Sequence, residues 1–448
     1  MTPLLYLLGV VLFVLAILAS IGLHELGHMV PAKAFGGKVT QYFIGFGPTI
    51  WSRQRGETEY GAKAIPLGGY VKIVGMLPPD QEHADKVEYD ADGNRVMVVR
   101  KSNTGMFGQL VSDARAAEWE TITAADEDRL FYKMAWWKKV VVMAGGPTVN
   151  LMIAFVIFAG LFATVGNPGD QKVQTKVDVV SACIVPASEE GRACTPSDPI
   201  SPAAKAGLKP GDRFVSFNGT PIHSWEQMQG LIRGNADGQA TIVVDRAGQT
   251  LTLHTDTLVE PRPTDPADPQ KLTPVGFLGV APVVTYATGG VLYTVEQMGG
   301  LAKQSAVALA TLPVKVWGVG QAIVGVKDRA ADSPVSIVGG GRIAGETVSH
   351  EEFPVKEKAV FLLMLIAGFN LFIGMFNFIP LLPLDGGHIA GALWEALRRG
   401  WARLRGRPDP GYVDVAKLLP IAYVVAACLL VMGSVLIVGD LVVPVSLS

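Results

Sequence analysis

The chain has 448 residues, enough by length for two to four ordinary domains. Charged residues make up 17%, below the usual quarter, and the mean hydropathy of +0.33 marks a chain much of which prefers lipid to water. That composition excludes an ordinary soluble protein, and with Lys plus Arg at 38 against 40 Asp plus Glu no basic excess points to nucleic acid.

A helix needs about 20 apolar residues to cross a bilayer core of about 30 Å. Four uncharged runs qualify. The first, LLYLLGVVLFVLAILASIGL, reaches Leu23 and defines a predicted helix over 1–30. It carries no Lys or Arg before its apolar core, which argues against a cleaved signal peptide. Residues 31–138 follow as a polar loop, and QYFIGFGPTIW predicts short strands at the membrane surface. Within it, residues 78–130 are polar and acidic and read as a loosely ordered insertion. The second span is predicted over 139–166. Its Gly145-Gly146-Pro147 suggests a kink or a close helix contact, and Asn150 a hydrogen bond across helices.

Residues 167–356 form a long polar region. Cys183 and Cys194 lie close enough in sequence to pair in an oxidising compartment. Asn218-Gly219 is a strong hairpin signal between alternating strands. Residues 272–295 read as strand plus connector. Residues 304–326 are apolar but contain Pro313 and Lys315, and read as an amphipathic surface helix. The third span is predicted over 357–388, a basic loop over 389–416, and the fourth span over 417–440.

Lys and Arg in short loops set the orientation. EALRRGWARLRGR carries five arginines, and Lys133, Lys138 and Lys139 precede the second span. Both sites belong in the cytoplasm. The N-terminus and VVPVSLS carry no basic residue and belong outside. The expected fold is a polytopic α-helical membrane protein with four transmembrane helices, a membrane-surface β region and an external α+β domain.

The first span ends in His24-Glu25-Leu26-Gly27-His28. On a helix, His24 and His28 share one face and can hold one Zn²⁺, with Glu25 beside them as general base. Three ionisable groups abutting a membrane span are costly unless they face a site. Catalytic zinc keeps three protein ligands and an open position. Glu57 and Glu59 are nearby candidates for the third. Asp385 is the better one, because the third span places it at the same cytoplasmic depth as the histidines. His388, three residues on, is a further candidate.

HELGH after an apolar helix, with Asn377-x-x-Pro380-x-x-x-x-Asp385-Gly386 on a later one, resembles the site-2 protease family of intramembrane zinc metalloproteases. GFG at 45–47, AIPLGGYVKIVGM and AGGPTVN extend the likeness to bacterial members that control sigma factors. Residues 175–282, with GFLGV at 276–280, resemble a PDZ domain. The resemblance implies that His24, His28 and Asp385 bind zinc, that Glu25 is the base, and that Asn377 and Pro380 position substrate. The strand near Gly45, Phe46 and Gly47 could receive the substrate as an added strand. The implied substrate is the membrane segment of a single-pass protein of the anti-sigma-factor class, trimmed first by a site-1-type protease. A non-enzymatic PDZ scaffold and a metal transporter are the alternatives.

Overall fold

The computed structural model describes residues 3–79, 88–89, 95–96, 106–119, 122–186, 192–236, 238–264, 272–350 and 353–445. The chain divides into two compact units, 1–160 with 290–448, and 161–289.

In the first unit, α1 (Pro3–Ala34) is followed by a long hairpin, β1 (Val39–Arg55) and β2 (Thr58–Ile73). Then come α2 (Met106–Trp119) and α3 (Trp136–Thr164). The hairpin is not a simple two-stranded ribbon. Phe43 pairs with both Tyr70 and Gly61, and Ile44 with both Gly69 and Ala62. Residues 41–44 therefore lie between 59–62 on one side and 69–72 on the other. Positive φ at Gly45 (+92°) and Gly47 (+82°) makes the fold-back possible.

Of the insertion over 78–130, the described residues include α2, which is held in place from two sides. Glu118 of α2 accepts the backbone N–H groups of Gly75 and Met76 at 2.8 and 3.1 Å, just where β2 ends. Arg115 pairs with Asp414. Both contacts pin α2 to the hairpin and to the entry of the last helix. The rest of the expected loose segment falls partly outside the described residues.

The second unit is a sheet domain. It contains β3 (Asn167–Val180), β4 (Arg213–Phe217), α4 (Trp225–Gly234), β5 (Gln239–Arg246) and β6 (Gln249–Asp256). β7 (Leu258–Pro263), β8 (Leu272–Phe277) and β9 (Val280–Ala287) complete it. The main sheet runs β9-β3-β4-β5-β6, with Thr220–Pro221 also paired to β4, while β7 and β8 form a separate pair. Asn218 and Gly219 both have positive φ, so the turn after β4 matches the strand twist. Phe214, Phe217, Met228, Ile242 and Leu278 fill the core. Cys183 and Cys194 form a disulfide.

The chain then returns to the first unit through α5 (Val291–Ile323), α6 (Ile337–Ser349), α7 (Val355–Asn377), α8 (Asp385–Leu404) and α9 (Leu419–Val442). Two sequence expectations change here. First, α5 is one continuous helix of 33 residues, and it joins the N-terminal helix, α3, α7 and α9 as a fifth helix long and apolar enough to span a membrane. Pro313 does not break it, and only the part before Val291 is strand and connector. Second, the helix expected over 357–388 ends at Asn377, and a new one starts at Asp385. Pro380 and Pro383 cannot continue a helical ladder.

Small residues bring the helices together. A Cβ on Gly9 of α1 would lie 2.5 Å from Ala344 O of α6, and one on Gly340 would lie 2.9 Å from the Phe13 ring. Two buried ion pairs tie distant segments. Lys139 of α3 meets Glu395 of α8 at 2.7 Å, and Arg329 meets Asp440 of α9 at 2.7 Å.

In the sheet domain Asp212 is fully buried and accepts from Arg246 Nε and Nη2 at 2.7 and 2.8 Å, and from the Lys209 N–H at 2.9 Å. Burial pushes this carboxyl up, but the Arg246 and Lys209 hydrogen bonds outweigh it and hold it below the usual carboxylate range. A lowered folded pKa means stability that is present above the unfolded value of about 3.9 and lost as pH falls below it. The hydrogen-exchange protection factors of the sheet domain, which correct for the intrinsic pH dependence of exchange, should therefore fall below about pH 4 in the full-length protein. In Asp212→Asn protection should already be lower at neutral pH and should lose that acid dependence.

Candidate zinc site

α1 sets the first two side chains. His24 and His28 stand one turn apart, with Nε2 atoms 3.2 Å from each other. His28 Nδ1–H donates to the Val142 carbonyl of α3 at 2.8 Å, which fixes the tautomer and leaves Nε2 with a free lone pair. α3 can come this close because it carries glycines. A Cβ on Gly145 would lie 2.0 Å from Gly27 O, and one on Gly146 would lie 2.3 Å from His28 Nε2. Tyr42 donates to Gly22 O at 2.7 Å and holds the hairpin against α1.

The third side chain comes from the turn between α7 and α8. Leu384 N–H donates to Leu381 O at 2.9 Å, and α8 begins at Asp385. The turn folds back so tightly that a Cβ on Gly386 would lie 2.1 Å from Ile379 O. Asp385 Oδ2 reaches 3.3 Å from His24 Nε2 and 3.4 Å from His28 Nε2. It is buried and has no hydrogen-bond partner. The α8 N-terminus favours its negative charge.

A cavity of about 540 Å³ opens over these atoms. Glu25 lines it, lying against β2 where a Cβ on Gly69 would be 3.0 Å from Glu25 Cγ. Gly68, Gly69, Tyr70 and Val71 form one wall, and Asn377 and Pro383 line it from the α7–α8 side. Pro380 is exposed in the turn and does not line it. Nor do Gly45, Phe46 and Gly47. They lie at the bend just beyond the doubly paired residues 41–44, and the strand that lines the cavity is 68–71. The alternating glycines of 45–47 mark the bend, and the register that brings 68–71 to the cavity has no local sequence signal.

Other sequence candidates fall elsewhere. Glu57 makes a two-pronged pair with Arg129, both bonds 2.8 Å, and Glu59 faces Gln41. His388 lines the cavity but is outside the converging set of three. Asn370 donates to Ser20 Oγ at 3.0 Å, bridging α7 and α1. Asn150 has no such bridge through its Oδ1. The roles of Val142 O and Gly146 were hidden, because a backbone acceptor leaves no mark and a glycine pair only signals close approach.

The donor set fits zinc. Two imidazole nitrogens and one carboxylate oxygen lie within 4.8 Å of one another. Ligands about 2.1 Å from a tetrahedral zinc are about 3.4 Å apart, close to the spacing seen. The orphaned Asp385 oxygen is also accounted for by a cation.

Comparison with known proteins agrees. Residues 12–416 match Peptidase family M50. The chain is 35% identical to zinc metalloprotease Rip1 of Mycobacterium tuberculosis over 99% of both chains, and 34% identical to Rip1 of Mycolicibacterium smegmatis over 98% of both. It is 28% identical to metalloprotease MmpA of Caulobacter vibrioides, covering 87% of this chain and 86% of that one. The chain belongs to peptidase family M50, the site-2 protease family. It is a multi-pass membrane zinc metalloendopeptidase, and zinc is its cofactor.

Gly146→Ala should push a methyl group into the two imidazoles. We expect at least a tenfold loss of zinc affinity and about a hundredfold loss of activity, with membrane insertion intact. Metal analysis of purified protein together with a cleavage assay checks this.

Proposed function

We propose that this protein cleaves the transmembrane segment of a pre-trimmed single-pass membrane protein, of the anti-sigma-factor class, near the cytoplasmic face. One observation carries the reading: Glu25, the three converging donors and an unpaired strand edge share a single cavity. Bound zinc supplies a Lewis acid and lowers the pKa of water to about 7. His24, His28 and Asp385 hold it. Glu25 takes the proton from the attacking water and returns it to the leaving amine. A substrate helix hides its carbonyls in its own hydrogen bonds, so it must unwind before attack. The edge at 68–71 offers the unwound segment a backbone partner, and Asn377 offers a side-chain amide.

Four spans fit this reading better than five, because four keep both the arginine-rich loop and Lys133, Lys138 and Lys139 cytoplasmic, and a fifth would put the arginine-rich loop outside. On this reading the PDZ-like domain over 175–282 is external and acts as a gate against substrates that a preceding site-1-type protease has not trimmed. In that domain a groove of about 280 Å³ lies between α4 and the stretch Val275–Val280, with Arg262 and Pro263 of β7 beside it.

The test is reconstitution in lipid vesicles with a single-span substrate. Glu25→Ala should keep zinc and lower cleavage by at least a thousandfold. Asp385→Ala should lose both. Cleavage that persists in Glu25→Ala, or cleavage confined to the substrate's soluble flank, would contradict the reading.

A further inference from the structure

Two asparagines are buried among the spanning helices; both leave Oδ1 without a hydrogen-bond partner, but only Asn150 lines the cavity over the zinc donors. Asn370 is fully buried and donates to Ser20 Oγ at 3.0 Å and to Ile366 O at 2.9 Å. Its role is to join helices. Asn150 of α3 is 1% exposed, yet its Oδ1 is buried with no hydrogen-bond partner. It lines the cavity that also holds Glu25, Asp385 and Asn377. A buried amide oxygen without a partner costs stability in any low-dielectric setting. A purely apolar side chain would carry no such cost. The position therefore carries a polar group that the free protein does not use.

The missing partner has a definite chemistry. An extended segment added to the 68–71 edge points alternate N–H and C=O groups toward that edge. The remaining groups point away, into the cavity. They need one acceptor for each N–H and one donor for each C=O. A carboxamide supplies both.

We propose that Asn150 binds substrate: its Oδ1 accepts a backbone N–H of the unwound segment on the side opposite the strand edge. Asn150 and Asn377, from α3 and α7, then hold the segment from the side that β2 cannot reach. This deepens the intramembrane peptidase reading and rests on it.

The experiment compares wild type, Asn150→Leu, Asn150→Gln and Glu25→Gln in vesicles containing a single-span substrate. Thermal unfolding and zinc content are measured on the same preparations. A substrate-binding Asn150 predicts that Asn150→Leu unfolds at the same or a higher temperature and keeps full zinc. Its kcat/KM should fall about ten- to a hundredfold. Asn150→Gln should recover part of that loss. A second arm replaces single backbone N–H groups around the cleavage site by ester oxygens. One replacement should slow wild type and leave Asn150→Leu unaffected.

Asn150→Leu with full activity would overturn the proposal. So would a lower unfolding temperature with parallel loss of zinc, which is the signature of a helix-packing residue. An ester effect of equal size in wild type and Asn150→Leu would overturn it as well. If wild type and Glu25→Gln are equally inactive on the membrane substrate, the peptidase reading itself fails, and the proposal falls with it. That outcome is distinct from an active wild type with an indifferent Asn150.

Discussion

The structure depends on bringing one carboxylate to two imidazoles that lie 361 and 357 residues earlier in the chain. Asp385 Oδ2 and the two Nε2 atoms are mutually 3.2 to 3.4 Å apart. In a low-dielectric setting such a cluster is unstable unless a cation balances it and the frame around it is fixed. Most of that frame is α3. Its Val142 carbonyl orients His28, Gly145 and Gly146 let it close on α1, and Lys139 clamps α8 through Glu395. Each contact lies within about two turns of the next along a single helix. The helix thus registers the two halves of the site against each other.

The second constraint is the backbone. A peptide bond exposed within a membrane must find hydrogen-bond partners in protein. The hairpin satisfies its own inner segment on both sides and leaves 68–71 with one open edge beside Glu25. Accommodation of an extended substrate and catalysis are therefore concentrated in one cavity. Gly69 matters here because a side chain would separate the edge from Glu25.

Much of this was legible in the sequence. HELGH announced its geometry through helical pitch alone, and Asp385 through its place at a matching depth. What was not legible has physical causes. Pro313 reads as a breaker, yet α5 continues through it. The span expected to reach 388 stops at Asn377, because its last apolar residues are needed for the fold-back that presents Asp385. Gly45–Gly47 looked like an edge because glycines and aromatics mark one. Only the pairing on both sides of Phe43 reveals that they are the bend beyond an interior segment. Glu118 gave no sign that it caps Gly75 and Met76, since that contact joins residues 42 or more positions apart.

The central claim is that Asp385 is bound to the same zinc as His24 and His28. Zinc-edge X-ray absorption of wild type and Asp385→Cys tests it directly. The account predicts only nitrogen and oxygen neighbours in wild type, two of them imidazole. It predicts one added sulfur at about 2.3 Å in the variant. A variant that keeps its zinc without any sulfur neighbour would place the third ligand elsewhere and contradict the account.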